Sequence, residues 1–306
     1  MSRTPALILA AAAVAAPVFA CEHLPRGYDG TLEQTAQEAI VFWNAGREIL
    51  VLKNDFRIDP GASGQLPSHL AWVLPVPSEP SAYAVEDVEV FRDLFAAWEE
   101  QFAENSKEEL EEDGPPAGEE MELLKKVEVG EYEIQPIRAR GEEGAKALGA
   151  WLSTNGFGEV PAENLAWYAG RGWVWLAVKV RLAQGESELV RNGSLRPLSI
   201  SFATDEIAYP VLVNAGQGTF DVNLYIVTED EVADIGEQVA RYGFSFEGVL
   251  SFALPERVQA IQERAAREGS WKTIESPCVH KVVGRGVNGP RISLASWKDD
   301  FKITPR

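Results

Sequence analysis

Near the start of the chain two apolar runs, EAIVFWN at 38–44 and EILVLKN at 48–54, flank the turn Asn44-Ala45-Gly46-Arg47. β-branched and aromatic runs either side of a small-residue turn fold as an antiparallel hairpin, which commits this stretch to sheet. A third run, His69 to Pro77, reads as a strand stopped by prolines that cannot donate to a ladder. Residues 173–182 alternate strictly: Val174, Leu176, Val178, Val180 and Leu182 share one face, and Trp173, Trp175, Ala177, Lys179 and Arg181 share the other.

Further strands are expected at Lys125 to Ile137, Leu198 to Phe202, Tyr209 to Val213, Phe220 to Val227, 278–283, 291–295 and 299–304. Helical spacing marks Val85 to Phe102, with Val88, Phe91, Phe95, Trp98 and Phe102 as its inner stripe. Helices are also expected over Glu142 to Asn155, from Pro161 through Tyr168, and after Pro255 with Val258, Ile261 and Ala265 inward. Thr228-Glu-Asp-Glu231 matches a capping box, predicting a helix that turns Val232, Ile235, Val239 and Tyr242 inward. Strands and helices come in blocks, so the fold class is α+β, with mostly antiparallel sheets and several amphipathic helices.

The first twenty residues carry one cation, Arg3, an alanine-rich apolar core, and small residues at Val18 and Ala20. This is the pattern of an export signal, cleaved so that the mature chain is 21–306. No later run is apolar for the ~20 residues that spanning a bilayer requires. A periplasmic or secreted bacterial protein is expected, with a lipid anchor at Cys21 as the alternative. Removing the leader leaves 27 basic against 47 acidic side chains, a net charge of −20, which disfavours nucleic acid and anionic lipid as partners. The acidic stretch at 104–120, broken by Gly114-Pro115-Pro116, is the one visible seam and admits two lobes.

Both cysteines have a histidine two residues on, Cys21-Glu-His23 and Cys278-Val-His280. On a strand such residues share a face with Cα atoms roughly 7 Å apart, so the two pairs together could offer zinc or copper a Cys₂His₂ set. The rival reading is a disulfide between Cys21 and Cys278, usual for an exported chain with two cysteines and worth up to roughly 5 kcal/mol for so long a loop. Oxidation would leave a metal only the imidazoles, and without a metal no cofactor is expected.

Gly284-Arg-Gly286-Val-Asn-Gly289 matches a dinucleotide fingerprint, but Pro290 and a β-prone run follow where a helix must open, so it reads as a flexible loop. No Gly-x-Ser-x-Gly elbow is present, and His69 reads as a hydrogen-bonded strand residue. Paired carboxylates could do hydrolytic work, but no pair stands out among 47 acids. The face of Trp173, Trp175, Lys179 and Arg181, with Trp167 and Tyr168 just upstream, is an aromatic and basic platform if exposed. It is core if the two preceding helices cover it.

Taken in order, the cysteine after the leader, EAIVFWNAGREILVL, HLAWVLPVPSEP, AKALGAWLSTNGF, WYAGRGWVWLAVKV and SLRPLSISFATDEIAYPVLV resemble the bacterial family DUF2330. The resemblance implies export and a shared fold, and brings no catalytic residues with it. The resulting expectation is a non-enzymatic binding or structural module of the envelope, acting on an envelope protein or a small ligand. A metal-binding protein and an envelope hydrolase stand as alternatives.

Overall fold

The structure is a computed structural model and describes residues 22–25, 27–102, 121–182, 193, 195–215, 217–269 and 271–305. The leader, Cys21 with the lipid-anchor and disulfide expectations that rest on it, and the acidic seam at 104–120 lie outside the described residues. Two sheets dominate. The first runs β1 (Glu22–His23), β4 (His69–Val76), β9 (Val174–Arg181), β8 (Tyr132–Arg138) and β6 (Glu122–Leu123), with β7 (Val127–Val129) also on β8. The second runs β13 (Ser245–Ser251), β14 (Cys278–Asn288), β12 (Thr219–Thr228), β2 (Thr31–Asn44), β3 (Arg47–Asp59), β10 (Leu198–Ala203) and β5 (Ala82–Val85). Among the described residues every pairing in these two sheets is antiparallel except β12 with β2. A small pair, β11 (Ile207–Tyr209) with β15 (Phe301–Ile303), completes the strands. Each large sheet takes strands from both sides of the acidic seam.

The β2–β3 hairpin is longer than its apolar core suggests and turns through Ala45 and Gly46, both at positive φ (51° and 76°), the geometry a two-residue hairpin loop needs. Its alternation builds two cores. Ala39, Val41, Leu50 and Leu52 join the main core with Val174, Leu176, Val178 and Val180 of β9. Ile40, Phe42, Ile49 and Val51 face the other way, onto helices α1 (Val90–Phe102) and α5 (Glu256–Arg267). On the first sheet, α2 (Gly141–Thr154) and α3 (Ala162–Ala169) add Leu148, Leu152, Leu165 and Tyr168 to the main core. Helices α4 (Ile235–Ala240) and α6 (Leu294–Trp297) are short.

Four expectations need correcting. Thr228 does not cap a helix: it ends β12 opposite Cys278, its hydroxyl donates to the Asp230 carbonyl, and α4 begins only after Asp234 at φ 48°. Val232, Ile235, Val239 and Tyr242 are nonetheless all buried, because the loop carries the first of them inward. The expected strand at 291–295 is instead a turn leading into α6, where Ser293 Oγ accepts the Ser296 N–H and nucleates the helix. Residues 212–214 form a 3₁₀ turn after the short strand β11, and β13 is a strand the periodicity did not announce. In α1 the buried residues are Val90, Phe91, Leu94 and Trp98, while Phe95 and Phe102 point outward and Val88 precedes the helix.

Candidate functional site

The two Cys-x-His pairs fall on different sheets: His23 is on β1 of the first, Cys278 and His280 on β14 of the second. His280 is fully buried with both ring nitrogens occupied. Nε2 accepts the Val232 N–H at 2.9 Å, and Nδ1 lies 3.2 Å from the Ile226 carbonyl, which fixes the neutral tautomer with its proton on Nδ1. Burial holds its pKa down at about 4. It therefore has no lone pair to offer a metal. His23 is also lowered to about 4 by burial, and its ring packs so tightly on Gly158 that a Cβ there would lie 2.2 Å from Nδ1. The half-buried Cys278 thiol sits 3.4 Å from Ser251 Oγ, and burial pushes its pKa up, the opposite of an activated thiolate. Among the described residues no group of three His, Cys, Asp or Glu side chains could hold a metal ion.

The tryptophan face is core. Trp173 and Trp175 are buried, with the Tyr168 ring of α3 at 5.1 Å from each, and Trp167 stacks edge-on beside them. Lys179 lies half-buried 5.5 Å from the Phe157 ring, while Arg181 is exposed and pairs with Glu128. The platform is covered at its aromatic end. The Gly-rich stretch is explained locally: a Cβ at Gly284 would meet Phe244 at 2.7 Å, one at Gly289 would meet the Gln217 carbonyl at 2.3 Å, and Gly286 has φ 57°.

Two carboxyls are strongly displaced from their ordinary range. Asp300, raised to about 6 by burial, accepts from Tyr168 Oη and from the N–H groups of Val211 (3.0 Å), Leu212 (2.8 Å) and Phe301 (2.8 Å). Glu48, fully buried, is raised well above a carboxylate's usual value because burial outweighs the bond from Ala208 N–H. Asp300 fastens β15 to the 3₁₀ turn, and Glu48 fastens β3 to β11. Neither lines a groove.

A groove the sequence did not announce forms where α1 stops covering the second sheet. The registers place Val51, Ile40, Tyr225 and Lys281 side by side across β3, β2, β12 and β14, beneath the helix. Two residues along the same face the next row is Lys53, Glu38, Asn223 and Val283, beyond the helix and turned polar. Asp87 starts α1 by accepting the Glu89 N–H at 2.9 Å, which sets Val88, Phe91 and Phe95 as the groove's apolar wall. The concavity measures ≈ 470 Å³. Val88 and Phe95 are 44% and 50% exposed and share the same concavity, so they form an apolar patch rather than isolated surface residues.

The groove's charges are compensated from within. Lys53 bonds Glu38 at 2.6 Å and Asp55 at 2.9 Å; Lys281 bonds Glu99 and Glu247, each at 3.1 Å. Lys281 also stands 5.2 Å from the Phe95 ring and 5.8 Å from the Trp98 ring, which keeps its ammonium in an aromatic setting. On the rim, Arg285 pairs with Asp221 at 3.4 Å and Arg92 with Glu89. Tyr225 is only 3% exposed, and burial, then the nearby Glu99, Glu38 and Glu247 carboxylates, push its phenol pKa up, so it is a donor at neutral pH. Among the described residues no hydrogen-bond partner meets the Tyr225 hydroxyl or the Asn223 amide. A second hollow, ≈ 580 Å³ between α2 and α3, is floored by Ala145, Gly149 and Leu165 and rimmed by Glu142, Glu159 and Glu163. It offers no buried polar group.

No helix among the described residues is long and apolar enough to cross a membrane. Residues 14–253 match the sequence profile of a family described as an uncharacterized protein conserved in bacteria, DUF2330. No curated protein matches the chain. Among solved structures, the crystal structure of baculovirus P35 is similar to 87% of this chain and 95% of its own, at 11% identity and a TM-score of 0.45, a likeness too weak to carry an argument.

Proposed function

The chain belongs to the DUF2330 family, and we propose that it is a non-enzymatic binding module of the bacterial envelope whose binding face is the α1 groove. The observation that carries this reading is Phe95: an aromatic side chain half exposed on the wall of a concavity whose floor presents the Tyr225 hydroxyl. The displaced titratable groups, Asp300, Glu48 and His280, support the non-enzymatic part of the reading, since each is tied into a structural hydrogen bond away from either hollow. The leader-like first twenty residues support export, with the mature protein beginning at Cys21.

A fragment titration tests the binding face. Amide chemical shifts of the full mature chain, followed with small aromatic probes such as indole and p-cresol, are expected to move at 88–98, 223–225 and 281–285. Shifts centred on the α2–α3 hollow, or scattered over the surface, would sink the assignment. N-terminal sequencing of protein recovered from the periplasm checks export: a mature start at Cys21 agrees, and an uncut Met1 in the cytoplasm contradicts it.

A further inference from the structure

We infer that the α1 groove receives a neutral saccharide, an inference that rests on reading the groove as the binding face and names its occupant. The argument is one of charge and hydrogen-bonding capacity. An anion entering would meet Glu38, Asp55, Glu99 and Glu247, which already hold Lys53 and Lys281. A cation would meet those same two ammonium groups and the Arg285 guanidinium. A wholly apolar ligand would strip water from the ion pairs and return no hydrogen bond, an unfavourable exchange. A hydroxyl both donates and accepts, so a polyol can give a proton to Glu38 and take one from Asn223 or Arg285 without disturbing either ion pair.

Two features favour such a ligand further. The Tyr225 hydroxyl opens onto the groove with no protein partner among the described residues, so a ligand hydroxyl can take the place of water there. Phe95 offers a flat apolar ring against which the C–H face of a pyranose can lie, beside polar groups that meet its edge. The volume of ≈ 470 Å³ falls within the ~300–1,000 Å³ of small-molecule sites.

The test is a titration of the full mature chain, followed by amide shifts and calorimetry, with neutral tetrasaccharides of glucose, N-acetylglucosamine and mannose. An acidic and a basic peptide serve as competitors for the interpretation. At least one neutral glycan should bind saturably, shifting 88–95, 223–225 and 281–285. Phe95→Ala should weaken it about tenfold, as expected for losing ~1.4 kcal/mol of stacking. Tyr225→Phe should weaken it several-fold, and Leu123→Ala, an equally exposed apolar residue on β6, should leave it unchanged. Saturable binding of only a charged peptide, or glycan binding indifferent to Phe95→Ala, would overturn the saccharide. If the aromatic fragments still mark the groove while every glycan fails, the occupant is wrong and the binding face stands. If fragments and glycans both fail there, the binding face falls with it.

Discussion

Helices α1 and α5 lie side by side on the same face of the second sheet, and both bury apolar residues in the same core, yet only one of them is finished. On α5 the inward stripe of Val258, Ile261 and Ala265 is buried and the outer face is charged. On α1 the inward stripe is equally buried, but Phe95 and Phe102 remain outside at 50% and 43% exposure. The charged face of α5 also fixes its neighbour: Arg264 forks onto the buried Glu86 just before α1, and Arg257 reaches Asp93 at 2.6 Å. Phe102 still stacks on Trp98, which leaves Phe95 as the outward ring of α1 with no ring partner among the described residues. The difference separates residues kept for the core from residues left over for an encounter, and it locates the groove.

The largest effect should come from the inward ring of α1. Trp98→Ala removes a side chain 1% exposed and in ring contact with Phe102 and Tyr225, and should cost about 3–5 kcal/mol in urea unfolding. A loss under 1 kcal/mol would mean α1 is not anchored by its inner face, and the contrast with α5 would lose its basis.

Acid should next loosen the molecule from within, away from both helices. A neutral buried imidazole contributes fully above its unfolded pKa near 6.5, and that contribution is lost as pH falls toward about 4, ~3 kcal/mol for each of His23 and His280. Asp300 runs the other way. Its carboxyl, raised to about 6, disfavours the fold when ionised, so acidification from 6 toward 4 recovers ~3 kcal/mol. Glu48, raised well above its usual range by burial, recovers stability on acidification as well, so two carboxyls oppose two imidazoles and the global change between pH 6.5 and 4 is small while the local changes are not. Hydrogen exchange should show residues 229–234, which His280 holds through Val232, opening before α1 or α5. Opening of α1 or α5 ahead of residues 229–234 on acidification would contradict this ordering.

Arg264→Ala leaves the Glu86 carboxylate buried without its fork and should cost about 1–3 kcal/mol. Arg257→Ala, at an exposed pair, should cost less than about 1 kcal/mol. If the two variants lose equally, the clamp between the helices is not where the burial puts it.

Much of the scaffold could be read from residues alone, because its signals are local. The hairpin at 38–54 shows in its alternation and its Ala45-Gly46 turn, α3 in Pro161, and β9 in its period of two. The α1 stripe was misplaced for a physical reason. Phe91, Phe95, Trp98 and Phe102 form one narrow apolar stripe, but the sheet and α5 rotate the buried face toward Val90 and Leu94, which the helix's own spacing does not reveal. Thr228 carried the letters of a capping box but was already committed to a strand. The groove was hidden because Glu38, Lys53, Asn223, Tyr225 and Lys281 meet only through strand order, including the parallel crossover of β12 onto β2. The Cys-x-His spacing, which did stand out, placed one histidine deep in a core with both nitrogens already used.

The smallest expected effect is the most telling. Equilibrium unfolding of Phe95→Ser in urea isolates whether the outward ring serves the fold or a ligand, since the same helix carries Trp98 as its internal reference. The account predicts a midpoint shift worth less than about 1 kcal/mol, since the side chain is half exposed and its contact with Lys281 is a partly solvated one. A loss of several kcal/mol, comparable to Trp98→Ala, would show that Phe95 is a structural residue and that the α1 groove is not a binding face.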